Sequence, residues 1–513
     1  MFKTTPRSLA WKLCALILLC LLGSVLCGRL RHPWTYNDDY NGAFWSQAAR
    51  NFHRAGYFST AGVPAPLYFG APPIPADYLY VHHPTLLPAM ALLDYRLLGG
   101  TEAAARAMPI FFSLLAAGLL WLLVARWHGL REGAFALAFF IAAPMELHYG
   151  QMVNFEAPEL FFLLAALGCF HLWRLRHSVR WAAGFLIFCG LAMATDWQGY
   201  LLVILLAAQL LMKGPGRNVR MAAGLLLLAL ASGLAFLFQI HLSMPGAWKQ
   251  LFQAFLERTS RQNDSGGAFT LGEWFSTEFT DLTTLYHPIA WLLAIGGAAL
   301  ALASRKHLSP REAAPLHIAV ILFIIDAFYI CALRNQSYIH DFASFYFLAP
   351  ISIFAAYLVE RLIVKMDPRW HGFPTAVCGV LAAALIVSGI KKLNNIDTQF
   401  CILDDDDSEP AGLMPDTGHM IERSFPPDTV VICNFDQYYS PLPFYAQRVM
   451  VNNIRDYEDW KAAVQDALPQ KSGGMIWTGD PEAAALLSHL APADMRPVKI
   501  DGIDFVLWRP DKL

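Results

Sequence analysis

Two adjacent carboxylates, Asp38 and Asp39, lie just after the first apolar run, in Trp34-Thr35-Tyr36-Asn37-Asp38-Asp39-Tyr40-Asn41-Gly42. Near a membrane surface such a pair can act as a general base or a cation site. A solvated turn and helix N-cap would use the same residue types. Further on, Tyr78-Leu79-Tyr80-Val81-His82-His83-Pro84-Thr85-Leu86-Leu87-Pro88 places two imidazoles before an apolar segment. If that segment is a helix, its first N–H groups and the histidines suit a phosphate. Collection of zinc or manganese by the same histidines and carboxylates is the competing chemistry. Three more polar insertions recur between apolar runs: His148–Glu156, Thr195-Asp196-Trp197-Gln198-Gly199-Tyr200, and Arg334–Phe342 with His340 and Asp341. Glu156 and Asp196 taken singly read equally well as a helix-terminal charge and a turn residue.

These residues need a scaffold, and composition names its class. Of 513 residues, 56% are hydrophobic and 15% charged, against roughly 45–50% and about 25% in soluble domains. A membrane protein is implied. The formal net charge of -2 gives no reason to expect a nucleic-acid partner. Eleven apolar runs, at about 9–28, 107–125, 132–149, 157–173, 181–194, 199–212, 221–241, 287–304, 315–333, 344–363 and 372–390, read as spans of about 20 residues. The first lacks a clear small-x-small cleavage site and reads as an uncleaved anchor.

Orientation follows from Lys and Arg, which concentrate in cytoplasmic loops. With the N-terminus inside, the cytoplasmic segments hold 17 of them, against Arg334 alone in the short outer loops. Arg29, Arg31, Lys391 and Lys392 fall outside, beside long segments. Counting 84–98 as a span would reverse every later loop, so it reads as an interfacial helix with Pro84 in its first turn. The loop of about 242–286 and the chain after about 391 face outward, and all the candidate residues then share one membrane face.

The expected division is a membrane domain over 1–390, with 29–106 as its first outer loop, and an extracytoplasmic α/β domain over 391–513. The tail opens with Asp404–Asp407, and strand-like runs such as 429–433 and 505–508 alternate with helical patterns at 457–467 and 481–490. None of the nine cysteines is spaced as a metal ligand pair. Cys401 and Cys433 are placed to form a disulfide if the tail is extracytoplasmic.

The order of these motifs resembles the GT-C superfamily of membrane glycosyltransferases: an early Asp-Asp, an Ala-Ala-Arg-Asn-Phe helix, His-His-Pro-x-Leu-Leu-Pro, then many short spans. Protein O-mannosyltransferases, lipid A aminoarabinose transferases and RgtA/B/C/D-like enzymes share the pattern most closely. The resemblance implies a polytopic α-helical fold of about eleven spans with interfacial helices. It also implies transfer of a sugar from a polyprenyl-phosphate donor to a lipid, glycan or protein acceptor at the outer face, with inversion. Asp38 or Asp39 would be the base, and His83 would stand where the aminoarabinose transferases carry a lysine. Arg334 and His340 would meet the donor phosphate, with His82, Glu156, Asp196, Trp197 and Asp341 as further substrate contacts. No obligatory cofactor is implied, with a divalent metal as the open alternative. A multi-pass protein of a bacterial inner membrane is the expected location. The rival readings are a lipid or glycan transporter or flippase, which would place ionisable groups near the midplane, and a non-catalytic binding protein. Neither a Walker sequence nor a Rossmann fingerprint is present.

Overall fold

All eleven apolar runs are helical in the computed structural model. It describes residues 6–35, 39–212, 217–261, 268–366, 372–399 and 414–434, then 441–451, 454, 456–467, 471–480, 482–500 and 502–509. Asp38, Cys401 and the run Asp404–Asp407 lie outside the described residues. In chain order the helices begin α1 (Pro6–Leu26), α2 (Asp39–Ala55), α3 (Leu86–Leu98), α4 (Glu102–His128), α5 (Leu130–Ala142), α6 (Pro144–Tyr149) and α7 (Glu156–Arg176). They continue with α8 (Val179–Thr195), α9 (Trp197–Leu211), α10 (Val219–Ser243), α11 (Ala247–Thr259), α12 (Leu271–Leu285), α13 (Pro288–Ser304) and α14 (Ala313–Ala332). The last of the apolar series are α15 (Arg334–Ile339), α16 (Leu348–Lys365) and α17 (Gly372–Gln399).

Among the described residues, seven helices are long and apolar enough to cross a membrane, or eight if α12 and α13, bent by 100°, count as one. The chain is a multi-pass membrane protein. The gap from the eleven expected spans has local causes. The run 132–149 is split where α5 ends at Ala142 and Pro144 opens α6, because proline cannot supply the next intrahelical N–H. Helices α8 and α9 have 17 and 15 residues, about 26 and 23 Å at 1.5 Å per residue, short of a hydrocarbon core of about 30 Å. The expected helix at 84–98 exists, but it begins at Leu86. Pro84 therefore precedes it, and Pro88 occupies its first turn, where the N–H has no intrahelical acceptor.

The chain divides into two compact units. One comprises Met1–Leu30, Val81–Leu87 and Arg106–Ile396; the other comprises Arg31–Tyr80, Pro88–Ala105 and Asp397–Leu513. In the first, α7 packs along α8, α13 along α16, and α9 beside both α8 and α10. The α8–α9 corner is tight: a Cβ at Gly199 would lie 2.4 Å from the Ala192 carbonyl carbon and the Met193 nitrogen. Only glycine fits there, and the bend it permits leaves Asp196, buried, between the two helices.

The second unit carries a five-stranded sheet of order β2-β1-β3-β5-β4. Its strands are β1 (Thr429–Cys433), β2 (Val449–Val451), β3 (Lys471–Trp477), β4 (Met495–Ile500) and β5 (Ile503–Trp508). Strand β1 pairs in parallel with β2 and β3, while β5 runs antiparallel to β3 and β4. Helices α18 (Met414–Ser424), α19 (Pro441–Ala446), α20 (Tyr457–Asp466) and α21 (Ala483–His489) complete it. Side-chain alternation sorts the strands onto two cores. Val431, Cys433, Met475, Phe505 and Leu507 pack with Ile421, Phe425 and Leu442, whereas Ile432, Ile476 and Trp508 pack with Trp460, Ala463 and Leu486. Cys433 is thus a buried core thiol.

The same unit holds the segment around the acidic pair. Tyr445 accepts the Trp34 amide at 2.8 Å and donates to Glu102 Oε1 at 2.6 Å. Trp34 then lies so close to α2 that a Cβ at Gly42 would sit 2.2 Å from its ring. The turn into α2 is therefore set by Trp34, Gly42 and a tail tyrosine together.

Candidate functional site

In the first unit, His83 bridges a carboxylate and a guanidinium. Its Nδ1 lies 2.8 Å from Asp196 Oδ1, and Arg258 Nη1 lies 3.0 Å from its Nε2. A guanidinium only donates, so Nε2 must accept and Nδ1 must carry the proton toward the carboxylate. The imidazole is buried and stacked on Phe155, 4.4 Å between centroids at 18°. Burial first, and Arg258 second among the lowering influences, push its pKa down against the pull of Asp196. His83 is neutral and uses both ring nitrogens.

Each partner is placed by its element. Asp196 stands at the N-cap position of α9, yet its side chain caps nothing there; its buried carboxylate goes to His83 instead. Trp197, the first residue of α9, donates its indole N–H to the His82 carbonyl at 3.1 Å, which ties the two-histidine turn to the α8–α9 corner. Arg258 comes from the last turn of α11, a position where a cation complements the helix dipole.

Beside this group lies a cavity of about 610 Å³. Leu201, Leu237, Trp248, Leu251, Phe252, Phe255 and Phe328 make its apolar wall, and His82, Gln198, Arg258 and Tyr329 supply the polar groups. His82 is pushed down to about 4 by burial, then by Arg258 and His83. His340 is likewise held at about 4 by burial and Arg258, and it stacks on Phe342 at 4.8 Å. Arg258, which the sequence reading passed over, is therefore the cation whose field reaches His82, His83 and His340 alike. At neutral pH it carries the positive charge of this group.

The other expected residues are distributed differently. Asp341 receives the Tyr149 hydroxyl at 2.6 Å on both oxygens. Glu156, buried at the start of α7, accepts from Asn154 at 3.2 Å. Arg334 opens α15, and its Nε is buried with no acceptor among the described residues; no bond joins its side chain to His83. Asp39, in the second unit, is the first residue of α2; it is buried and accepts the Thr35 amide at 2.9 Å. It is the acidic residue of the pair whose surroundings are described.

The sequence model of the dolichyl-phosphate-mannose-protein mannosyltransferase family matches residues 82–242. No curated protein matches the chain in sequence. In structure it is similar to ArnT from Cupriavidus metallidurans bound to undecaprenyl phosphate, with a TM-score of 0.61, 14% identity, and 98% of each chain covered. The chain has the GT-C fold. A second GT-C likeness is the archaeal oligosaccharyltransferase AglB from Archaeoglobus fulgidus, in complex with an inhibitory peptide and a dolichol-phosphate: TM-score 0.56, 13% identity, 90% of this chain and 69% of that one covered. Another structure of the Archaeoglobus fulgidus oligosaccharyltransferase, with Zn and sulfate, aligns at a TM-score of 0.53 and 14% identity, covering 90% and 68%.

The family match begins at His82 and includes His83, Asp196 and Trp197, so it covers four of the residues that build this site; Arg258 lies beyond it. Among the described residues no three His, Cys, Asp or Glu side chains are grouped as metal ligands. The chemistry the arrangement offers is recognition of an anion on an apolar tail: a guanidinium with several donors at the polar end of an apolar cavity.

Proposed function

We propose that the chain is a membrane glycosyltransferase that takes a sugar from a polyprenyl-phosphate-linked donor and passes it, with inversion, to a hydroxyl of a lipid, glycan or protein at the outer face. The observation that carries this reading is the apolar cavity ending on Arg258, in a fold shared with a protein seen bound to undecaprenyl phosphate. The lipid segment next to the phosphate fills the cavity while the rest of the polyprenyl chain stays in the bilayer. Arg258 meets the phosphate, and His340 and Arg334 are further contacts on the donor head. His82, Trp197, Glu156, Asp196 and Asp341 shape the polar end around it.

In the reaction the acceptor oxygen attacks the anomeric carbon, the bond from that carbon to the phosphate oxygen breaks, and polyprenyl phosphate leaves with the bonding pair. The acceptor proton passes to Asp38 or Asp39, with the first of the pair favoured on the resemblance. A phosphate is already a fair leaving group, so most of the acceleration comes from positioning and from Arg258 facing the charge that develops on it. Residues 1–390 form the catalytic membrane domain and 391–513 an extracytoplasmic one, in a bacterial inner membrane. The test is direct: purified protein given a radiolabelled polyprenyl-phosphate sugar and an envelope extract should release polyprenyl phosphate and label an acceptor. Donor that remains intact while lipid crosses a vesicle bilayer would favour a flippase instead.

A further inference from the structure

A neutral, doubly bonded histidine next to a cation has no evident part in binding an anion, since its ring has no nitrogen left to offer. We propose that Asp196 and His83 form a positioning relay that fixes the Arg258 guanidinium at the mouth of the apolar cavity, with His83 as a neutral bridge rather than a ligand of the phosphate. The proposal rests on the reading of that cavity as the donor site. It adds which residues aim the cation and in what protonation state.

Four observations converge on the relay. The Asp196 carboxylate gives up the capping of α9 and bonds His83 Nδ1 at 2.8 Å. The Nε2 that this leaves as an acceptor meets Arg258 Nη1 at 3.0 Å. The Phe155 ring, nearly parallel to the imidazole at 18°, limits rotation of the bridge. The Trp197 indole holds the His82 carbonyl, so the histidine backbone and the carboxylate move with one corner. A carboxylate donated to through Nδ1–H makes Nε2 more basic and a better acceptor. Arg258 is thereby held by a directed bond on one of its five donors.

The protonation state follows from what faces His83. Asp196 comes from the α8–α9 corner, Arg258 from α11 and the uncharged Phe155 from the segment before α7; His82 is its chain neighbour. Glu156 and Glu159 lie within electrostatic reach of Asp196. Burial and Arg258 favour the neutral ring. A second proton on Nε2 would point a donor at a donor, so acid must release the guanidinium.

The test uses the full-length protein in detergent, with undecaprenyl phosphate as the probe and the fluorescence of Trp197 and Trp248 as the signal. His83→Gln should bind within about threefold of the parent, because one amide supplies both the donor and the acceptor. His83→Leu should weaken binding about ten- to a hundredfold, the scale of a lost hydrogen bond to a charged group. The parent should lose affinity more steeply than His83→Gln as pH is lowered below 6.5, because burial pushes the ring's pKa under that value while the phosphate's own titration affects both equally. Thermal melts confirm that each variant is folded. Tight binding by His83→Leu, with binding lost in Arg258→Ala, would overturn the relay while the donor site stands. His83→Gln as weak as His83→Leu would overturn the neutral bridge, because the imidazole would then touch the phosphate itself. Parent-like binding by Arg258→Ala would remove the donor-site reading and the relay together.

Discussion

Replacing Arg258 by alanine deletes a side chain that borders the cavity, bonds His83 and, after burial, adds to the downward push on the pKa of three histidines. Its worth to the reaction can be sized. Two unit charges about 4 Å apart interact by about 4 kcal/mol at an effective dielectric of about 20. Arg258 is half-buried, so some screening applies, and about 3 kcal/mol is a fair figure for its contact with a phosphate. At 1.4 kcal/mol per decade this is a loss of about two orders of magnitude in kcat/KM for the donor. Arg258→Lys keeps the charge but cannot send separate donors to His83 and the phosphate in a fixed fork, so a loss of about tenfold is expected. The assay is release of polyprenyl phosphate at varied donor and fixed acceptor, then the reverse. The acceptor KM should stay within about twofold in both variants, because the guanidinium is assigned to the donor alone. If Arg258→Ala retains donor kcat/KM within about threefold, the cavity is not where the phosphate binds.

Asp39→Asn retains an acceptor for the Thr35 amide and should therefore fold; if Asp39 is the base, turnover should fall at least about a hundredfold, and if Asp38 is the base the equivalent change there should do so, as product formation will show. Leu251→Trp adds bulk to the cavity wall and should raise the donor KM several-fold with little change for the acceptor, and a shorter-chain donor tested in the same assay should suffer less. His82 and His340 have folded pKa values of about 4 against an ordinary 6.5, so the unfolded chain binds more protons between those values. The stability they contribute is complete above about pH 6.5 and is lost as pH falls toward 4; thermal melts from pH 7.5 to 4.5 should decline, and the double change His82→Gln, His340→Gln should flatten the decline.

Much of the scaffold is legible in the sequence because a membrane fold is written in runs of apolar residues. Every such run became a helix, and the tail's strands at 429–433 and 505–508 were visible from their β-branched and aromatic residues. What hydropathy could not resolve was how runs break. Pro144 divides one of them, and only its position after Ala142 hinted at this. His82, His83, Asp196 and Trp197 were legible as candidates, but their mutual bonds were not: residues 83 and 196 meet through tertiary packing that no spacing encodes. Arg258 was missed because its helix looks like a surface element in a long polar loop. A signal was present, since Trp248, Leu251, Phe252, Phe255 and Arg258 recur at helical spacing and put one arginine at the end of an apolar stripe. Tyr149 with Asp341 is a further case where two aromatic-rich segments looked independent until folded.

The charge state of the site bears on why one fixed cation and a neutral bridge suit the proposed chemistry. A sugar joined to polyprenyl phosphate is a diester with one negative charge, whereas the released monoester carries between one and two near neutral pH, its second pKa being about 6. A cation at the phosphate is therefore worth more as the bond breaks than in the donor complex, and that difference is what lowers a barrier. The same difference holds the product. Were His83 a second fixed cation, as a lysine would be, product retention would grow together with transition-state stabilisation. With Asp196 balancing Arg258 across a neutral imidazole, the group has no net charge before the donor arrives. It gains further interaction as charge develops, and it leaves the product against a single guanidinium. On this argument His83→Lys should raise affinity for free undecaprenyl phosphate at neutral pH while slowing its release, so a pre-steady-state burst absent from the parent would appear.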